Sequence, residues 1–230
     1  MMWQAIKNII RNHKEESFYS TLISKGDLCF DIGANNGKKS KLMLATGAKV
    51  IAFEPQSSCF EYLSELKKKS SNFEFHQLAV GAKNESKKLH LSKKHSEIAT
   101  LSDDFITNYT TEDVFWSASE IVEVKSLDSL IADFGRPNYC KIDVEGYEFE
   151  ILSNLHHTIP VIEFEFTEKF IVHTFRIIDG FDKKTVYNYI LNEHLKFQLK
   201  DWIPATAIKE ILGDLNAKNL HGNLFCKTLS

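Results

Sequence analysis

Two acids and two glycines near the amino terminus have the spacing of a nucleoside-binding turn. The runs LCFDIGANNG and KVIAFEP are apolar stretches that end at Asp31 and at Glu54. Gly33 and Gly37 let the backbone between strand and helix turn tightly and approach a ligand, because glycine tolerates positive φ and has no side chain. In an open parallel sheet, ligands bind beyond the carboxyl ends of the strands, where a carboxylate can accept both hydroxyls of a ribose.

The glycine spacing argues against a ligand that carries phosphates. Dinucleotide sites use G-x-G-x-x-G, but Asn35 replaces the middle glycine and the last glycine comes one residue early. A Walker loop needs G-x-x-x-x-G-K-[ST], whereas GANNGKKS is one residue short and has Lys39 where the hydroxyl should follow. A nucleoside whose charged part is a small amino acid group remains, held by Asp31, Asn35 and the turn amides. S-adenosylmethionine fits this description.

Five motifs of the chain resemble the FkbM family of S-adenosylmethionine-dependent methyltransferases. They are DIGANNG, AFEP, LAVG from Leu78, SLDSL from Ser126 and KIDVEGYEFEIL from Lys141. Their order and spacing match, and the resemblance covers roughly residues 26–166. It implies the α/β fold of class I methyltransferases, a Rossmann-like, seven-stranded, mostly parallel sheet with an antiparallel last strand and helices on both faces. It also implies S-adenosylmethionine as cofactor, S-adenosylhomocysteine as product, and O-methylation of a small metabolite or a sugar.

The alternation of apolar runs and helical patterns predicts a parallel sheet as well. Strands are expected near 28–32, 49–54, 73–80, 139–144, 160–166, 196–202 and 223–229, and helices near 36–46, 56–69, 127–134, 147–155, 182–194 and 205–215. Asp182 is the expected cap of the helix that runs to His194.

Residues 1–25 are expected to form a capping helix region, because Trp3, Ile6, Ile9 and Ile10 recur at helical spacing. Residues 26–230 then form a single methyltransferase domain. Its irregular segment near 86–124, with β-like runs such as KLHLS and EIVEVKS, is expected to contact the substrate, because insertions between regular elements often carry specificity.

Composition limits the partners and the compartment. The 230 residues are 43% hydrophobic and carry a formal charge of −3, with a pI near 6.3, so we expect neither nucleic acid nor a membrane as partner. No run approaches the ~20 apolar residues of a membrane span. Four scattered cysteines without a C-x-x-C pair are typical of a reducing compartment, which predicts a cytoplasmic protein. The oligomeric state and the acceptor, a small molecule or a glycan, are not specified by the sequence.

Three residues are candidates for acid-base catalysis. Asp143 ends the fourth strand and should face the same crevice as Asp31, with a helix cap as the alternative interpretation. By resemblance, the KIDVEG segment borders the methyl group, which supports Asp143 and Glu145 as base or orienting groups. His95 lies in the variable segment and is a candidate general base, because the pKa of histidine suits proton removal near neutrality.

Glu163 and Glu165 share one face of the strand IEFEF. Acids are unusual in this place, since central parallel strands are usually apolar, and this favours a specific role for them. They are candidate substrate ligands, with an ion pair to a lysine or arginine as the alternative. No metal motif is present, although a divalent metal held by Asp143 and one of these glutamates is a further alternative. Gln77 and Ala79 stand where many methyltransferases contact adenine.

The basic group Lys38, Lys39 and Lys41 is interpreted as a solvated helix face, with the binding of an acidic acceptor as the alternative. Two other functions remain open for the whole chain. One is a non-catalytic subunit that binds a nucleoside, and the other is a nucleotide-dependent oxidoreductase, which the glycine spacing disfavours.

Overall fold

A computed structural model describes residues 15–192, 194–218 and 221–229 of the chain. The strands are β1 (Leu28–Ile32), β2 (Lys49–Phe53), β3 (Phe73–His76), β4 (Ala79–Gly81), β5 (Glu85–Leu91), β6 (Ala118–Ser126), β7 (Tyr139–Ile142), β8 (Val161–Phe166), β9 (Thr185–Leu191), β10 (Ile203–Pro204) and β11 (Gly222–Thr228). The helices are α1 (Lys38–Ala45), α2 (Phe60–Lys69), α3 (Asp103–Tyr109), α4 (Leu127–Phe134), α5 (Glu148–Leu152), α6 (Ile171–Gly180) and α7 (Ala205–Asn216).

The main sheet has eight strands in the order β10-β9-β11-β8-β7-β1-β2-β3. Strands β3, β2, β1, β7 and β8 are parallel, while β11 runs antiparallel to β8 and β9. This confirms the predicted mostly parallel Rossmann-like sheet with an antiparallel last strand; the short β10 makes eight strands rather than seven. The chain leaves β1 towards β2 and later returns to the other side of β1 with β7, so a crevice forms beyond these two strands.

The segment expected to be a single strand at 73–80 is two strands in two sheets. The backbone turns where Leu78 N donates to His76 O, and β4 then joins a second, three-stranded sheet of order β4-β6-β5. The runs KLHLS and EIVEVKS do form strands, and they pair antiparallel with Leu89 opposite Glu120. The two ends of the irregular middle segment therefore fold into a small sheet with its own apolar cluster around Leu89, Val122 and other residues.

The expected helix from Asp182 to His194 is wrong, because this segment contains the strand β9. Its aromatic and branched residues are mostly buried and pair along the whole of β11, and this tertiary pairing decides the structure. Asp182 forms a turn instead, in which its Oδ1 accepts a hydrogen bond from Lys184 N at 2.7 Å. The helix of this region is α6, which buries Thr174, Ile177 and Ile178. The strand expected at 196–202 is also absent; β10 begins at Ile203.

Apolar side chains cover both faces of the main sheet. One cluster contains Phe30, Ile32 and Phe164, and the other contains Cys29, Val50 and Phe225. Of the predicted capping region, residues 1–14 lie outside the described residues, and 15–19 are helical. Within the described part of the chain, every helix is too short or too polar to cross a bilayer.

The first turn of the site requires a glycine. Gly33 has a φ of +73°, and a Cβ at this position would lie 1.8 Å from the backbone oxygen of Asp143. The backbones of Gly33 and Asp143 cannot move apart without breaking a hydrogen bond, because Asp143 N donates to Ile32 O at 3.1 Å. The absence of a side chain at Gly33 is therefore what allows the ends of β1 and β7 to approach each other.

We expect Gly33→Ala to destabilise the protein by at least about 2 kcal/mol, because it adds a backbone clash to an unfavourable φ. Urea denaturation followed by circular dichroism measures this free energy of unfolding. The matched control is Gly213→Ala in α7, where a Cβ meets nothing within 4 Å. That variant should gain about 0.5–1 kcal/mol, since alanine is the better helix former. Equal stabilities of the two variants would contradict the argument.

Candidate active site

A cavity of about 440 Å³ opens beyond the carboxyl ends of β1, β2, β7 and β8. Its size suits a small-molecule site. The second sheet and the segment that follows β5 cover it with apolar side chains, among them Leu89, Ala99 and Leu101. On the main sheet it is lined by residues 32–36, 38–39, 53–56, 141, 143–145, 147, 165 and 221–223.

Glu54 closes β2 at one end of this cavity and is only 2% exposed. Its Oε2 accepts a hydrogen bond from Asn35 N at 2.8 Å, and its Oε1 accepts one from Gln56 N at 2.9 Å. Burial raises the pKa of Glu54, and these backbone hydrogen bonds oppose the rise. Each oxygen keeps lone pairs beyond the one it uses, so the carboxylate can accept further hydrogen bonds from a ligand diol.

Lys141 occupies the floor of the cavity between two acids. Its side chain is 2% exposed, and its Nζ lies 3.0 Å from Asp143 Oδ2 and 3.6 Å from Asp31 Oδ1. Burial alone would lower the pKa of Lys141, but the negative charges of Asp143, Asp31 and Glu163 outweigh it and raise the pKa above its ordinary value. The ammonium therefore stays charged and compensates the acids around it.

Three carboxylates meet in the cavity near the ends of β7 and β8. Asp143, Glu145 and Glu165 each offer an oxygen, and these oxygens lie within 4.8 Å of one another. Burial raises the pKa values of Glu145 and Glu165 well above the usual range, and the neighbouring negative charges raise them further. Such a group can share a proton and accept another from a ligand. The same three oxygens could hold a divalent cation, the alternative drawn from the sequence.

Glu148 fixes the loop that carries Asp143 and Glu145. It is buried in the first turn of α5, and its Oε1 accepts a hydrogen bond from Val144 N at 3.0 Å. Burial raises its pKa to about 7, against the opposing hydrogen bonds from the loop backbone. The loop also contains a strained position, since Glu145 has a φ of +54°. A buried carboxyl group thus holds this loop in an uncommon conformation.

The structure brings together seven of the residues proposed for the site from the sequence. The cavity is lined by Gly33, Asn35, Glu54, Ala79, Asp143, Glu145 and Glu165. Asp143 does not cap the following helix, whose cap is Tyr147.

The other proposed residues lie outside the cavity lining. Asp31 is fully buried below it and accepts a hydrogen bond from Ser40 Oγ at 2.5 Å. Gly37 caps α1 with a φ of +74°. Gln77 points into solvent at the turn between the sheets. His95 is partly exposed, with its Nδ1 3.4 Å from Glu97 Oε1.

Glu163 also lies outside the lining, in the interior of the protein. Its Oε2 accepts hydrogen bonds from Tyr139 Oη and, at 3.3 Å, from Tyr19 Oη. Its Oε1 accepts one from Asn223 Nδ2 at 2.8 Å. Its hydrogen-bond partners are therefore two phenols and an amide, whereas the sequence predicted a substrate ligand, with an ion pair to a lysine or arginine as the alternative.

Three residues of the site were not found from the sequence. Lys141 interrupts the apolar strand YCKI, and a lysine in a central strand could have signalled buried acids nearby. Glu148 had a weaker signal, an acid in the first turn of a helix. Asn223 reaches the cavity only through the pairing of β11 with β8, which nothing in the local sequence indicates.

Comparison with known proteins identifies related sequences. The Methyltransferase FkbM domain family matches residues 31–191 of the chain. The hexuronic acid methyltransferase AglP of Haloferax volcanii is 28% identical over 144 residues, which are 62% of this chain and 55% of that protein. The chain thus aligns with little more than half the length of this relative.

Two solved structures are similar at low identity. The precorrin-6Y C5,15-methyltransferase of Geobacter metallireducens has 10% identity and a TM-score of 0.48, with 95% of this chain and 87% of that chain covered. The fibrillarin of Aeropyrum pernix, solved with natively bound S-adenosyl-L-methionine, has 8% identity and a TM-score of 0.45, with 89% and 68% covered.

The raised pKa of Glu148 predicts a pH-dependent effect of Glu148→Gln on stability. Below about pH 4.5 the carboxyl group is protonated in both the folded and the unfolded protein. Between this pH and about 7, the Glu148 carboxyl group ionises in the unfolded state before it does in the folded state. The unmutated protein therefore loses stability as the pH rises, and Glu148→Gln does not. The difference in unfolding free energy should shift by up to about 3 kcal/mol in favour of the variant between pH 4.5 and 8.

Urea denaturation at several pH values measures this shift. Its dependence on pH is the test, because any hydrogen bond lost to the glutamine adds only a constant. Glu61→Gln, at an exposed position of α2, controls for the removal of one carboxyl charge. A difference between Glu148→Gln and the native protein that stays constant with pH would contradict the raised pKa.

Proposed function

Because this chain belongs to the FkbM methyltransferase domain family, we propose that it transfers a methyl group from S-adenosylmethionine to a hydroxyl group of an acidic sugar. The observation that carries the proposal is a single cavity that joins the buried Glu54 to the carboxylates of Asp143, Glu145 and Glu165. One end offers acceptors for a ribose diol, and the other offers acceptors for the proton of a hydroxyl group.

The residues around the turn fit an adenosyl group without phosphates. Glu54 is fixed by two backbone N–H groups and still has free lone pairs for a diol. Gly33 lines the cavity, and its lack of a side chain lets the end of β1 lie against the backbone of Asp143. We assign Asn35 and the start of α1 to the amino acid part of the cofactor, and Ala79 to the nucleoside part.

The cofactor supplies a methyl group on a sulfonium, and the protein aligns the acceptor with it. The acceptor oxygen attacks the methyl carbon, the carbon–sulfur bond breaks with its electron pair left on sulfur, and the hydroxyl proton leaves. Alignment in the cavity supplies much of the rate. Glu145 or Glu165 takes the proton, since a carboxylate with a raised pKa is a stronger base near neutrality. Asp143, paired with Lys141, orients the acceptor.

The acidic sugar is proposed from two observations. The relative from Haloferax volcanii is described as a hexuronic acid methyltransferase. The rim of this cavity includes Lys39 and His221, whose nitrogens can bind the carboxylate of such an acceptor. His95 remains an alternative base, since it lies next to the cavity-lining Glu97.

We expect S-adenosylhomocysteine to bind the native protein and Glu54→Ala to weaken this binding about 100-fold or more. The variant loses hydrogen bonds from two hydroxyls to a charged group, each worth about 1.5–3 kcal/mol. Isothermal titration calorimetry gives both dissociation constants. Glu74→Ala, an exposed acid on the neighbouring strand, is the matched control and should bind normally. If the native protein does not bind S-adenosylhomocysteine, the proposal is wrong.

Methyl transfer should depend on the three carboxylates. With tritiated S-adenosylmethionine and a panel of glucuronides and galacturonides, we expect Glu145→Gln and Glu165→Gln to lower kcat about 100-fold or more. Their affinity for S-adenosylhomocysteine should stay within a few-fold of native. Glu123→Gln, exposed on β6, is the control.

The same assay separates the alternatives. Activity should survive treatment with EDTA; activity that EDTA removes and Mg²⁺ restores would assign the three carboxylates to a cation. Cofactor binding without transfer to any acceptor, including extract fractions, would favour a non-catalytic subunit. Enhanced NADH fluorescence would favour the oxidoreductase.

A further inference from the structure

Residues at the end of the main sheet form two rows that cross its strands. Asp31, Lys141 and Glu163 are register partners on β1, β7 and β8, so they lie side by side on one face. Because side chains alternate with a period of two, Asp143 and Glu165 follow on the same face, one step nearer the cavity. On β11, Asn223 is the register partner of Glu165. We call Asp31, Lys141 and Glu163 the lower row, and Asp143, Glu165 and Asn223 the upper row, which is the one nearer the cavity.

The orientation of the Asn223 amide follows from its contact with Glu163. Glu163 is fully buried, and both of its oxygens accept hydrogen bonds. A carboxylate has no proton to donate, so the amide must present Nδ2 to it, as the 2.8 Å contact shows. The carbonyl oxygen Oδ1 of Asn223 is then turned away from Glu163.

This carbonyl oxygen is available to a ligand. Asn223 lines the cavity and is only partly buried. Among the described residues, none donates a hydrogen bond to its Oδ1, and this oxygen is not among the buried atoms left without a partner. Within the described part of the chain, it is an acceptor without a donor, and its direction is fixed by the residue below it.

The position of Asn223 assigns it to the acceptor rather than to the nucleoside. Three strand spacings separate β11 from β1 and four separate it from β2, which is about 14 Å and 19 Å across the sheet. Glu54 at the end of β2 is too distant for one ribose to reach both. Glu165 is the register partner of Asn223 on β8, and its carboxylate groups with those of Asp143 and Glu145, so Asn223 lies on the side of the cavity that we assign to the acceptor.

We infer that Asn223 determines acceptor specificity by accepting a hydrogen bond from a second hydroxyl, next to the one that is methylated, and that Glu163 positions its amide. The inference rests on the proposed function. It restricts the acceptor to molecules with at least two neighbouring hydroxyl groups, as on a sugar ring. A single hydroxyl would leave Asn223 Oδ1 without a donor from the acceptor.

The test compares each acceptor with analogues that lack one hydroxyl group. A p-nitrophenyl hexuronide and its monodeoxy analogues are titrated into protein saturated with S-adenosylhomocysteine, and KM and kcat are measured with tritiated cofactor. The native protein should bind one particular deoxy analogue about 10-fold more weakly than the parent hexuronide. Asn223→Ala should bind the parent hexuronide about 10-fold more weakly and should no longer discriminate against that analogue, because the two changes remove the same hydrogen bond.

Two further variants separate positioning from folding. Glu163→Gln should reduce this discrimination with little change in the affinity for S-adenosylhomocysteine. If Glu163→Gln fails to fold, Asn223→Ala still tests the contact between Asn223 and the acceptor. Asn154→Ala, an exposed asparagine outside the cavity lining, is the control and should behave like the native protein.

The outcomes distinguish this inference from the proposed function. If the native protein does not bind S-adenosylhomocysteine at all, the proposed function is rejected. Normal cofactor binding, with an Asn223→Ala variant that weakens all acceptors equally and keeps the native pattern of discrimination, would overturn only the role of Asn223. Failure of the native complex with S-adenosylhomocysteine to bind any of the hexuronides would overturn that role together with the proposed acidic-sugar acceptor, while cofactor binding would stand.

Discussion

The site depends on one buried positive charge. Lys141 stands between Asp31 and Glu163 in a row across three central strands, with Asp143 directly above. Removing either partner of a buried ion pair leaves an uncompensated charge, at a cost of about 3–5 kcal/mol. Ser40, two tyrosines and Asn223 donate hydrogen bonds to the acids of this row. The sheet can therefore carry acids in its interior, and further acids can line the cavity above them.

The lower row explains why the cavity has a fixed shape. Glu163 connects Tyr19 of the leading segment, Tyr139 of β7 and Asn223 of β11, which are distant in the sequence. Both oxygens of the buried Glu163 accept hydrogen bonds, so a rearrangement around it would leave a buried polar group unpaired. The cavity floor is thus preorganised before a ligand binds.

The half of the site that we assign to the nucleoside has a local signal in the sequence. Asp31, Gly33 and Glu54 lie within a single strand-turn-helix-strand unit, and the match to the FkbM domain confirms the family that these motifs indicate. The acceptor half could not be read in this way. Glu163 and Glu165 are two residues apart on one face, yet Glu163 is buried against phenols and Glu165 lines the cavity. Which of them is covered depends on β11 and on Tyr19, more than 50 residues away.

The errors in the fold have the same physical origin. The pattern of residues 182–194 was compatible with a helix, but β11 lies between β8 and β9 and pairs with both, so β9 as a strand is paired along one whole edge. This insertion also brings Asn223 opposite Glu165. A helix in place of β9 would leave one edge of β11 unpaired, with its backbone groups exposed. The antiparallel end of the sheet and the acceptor side of the cavity are therefore consequences of one strand pairing.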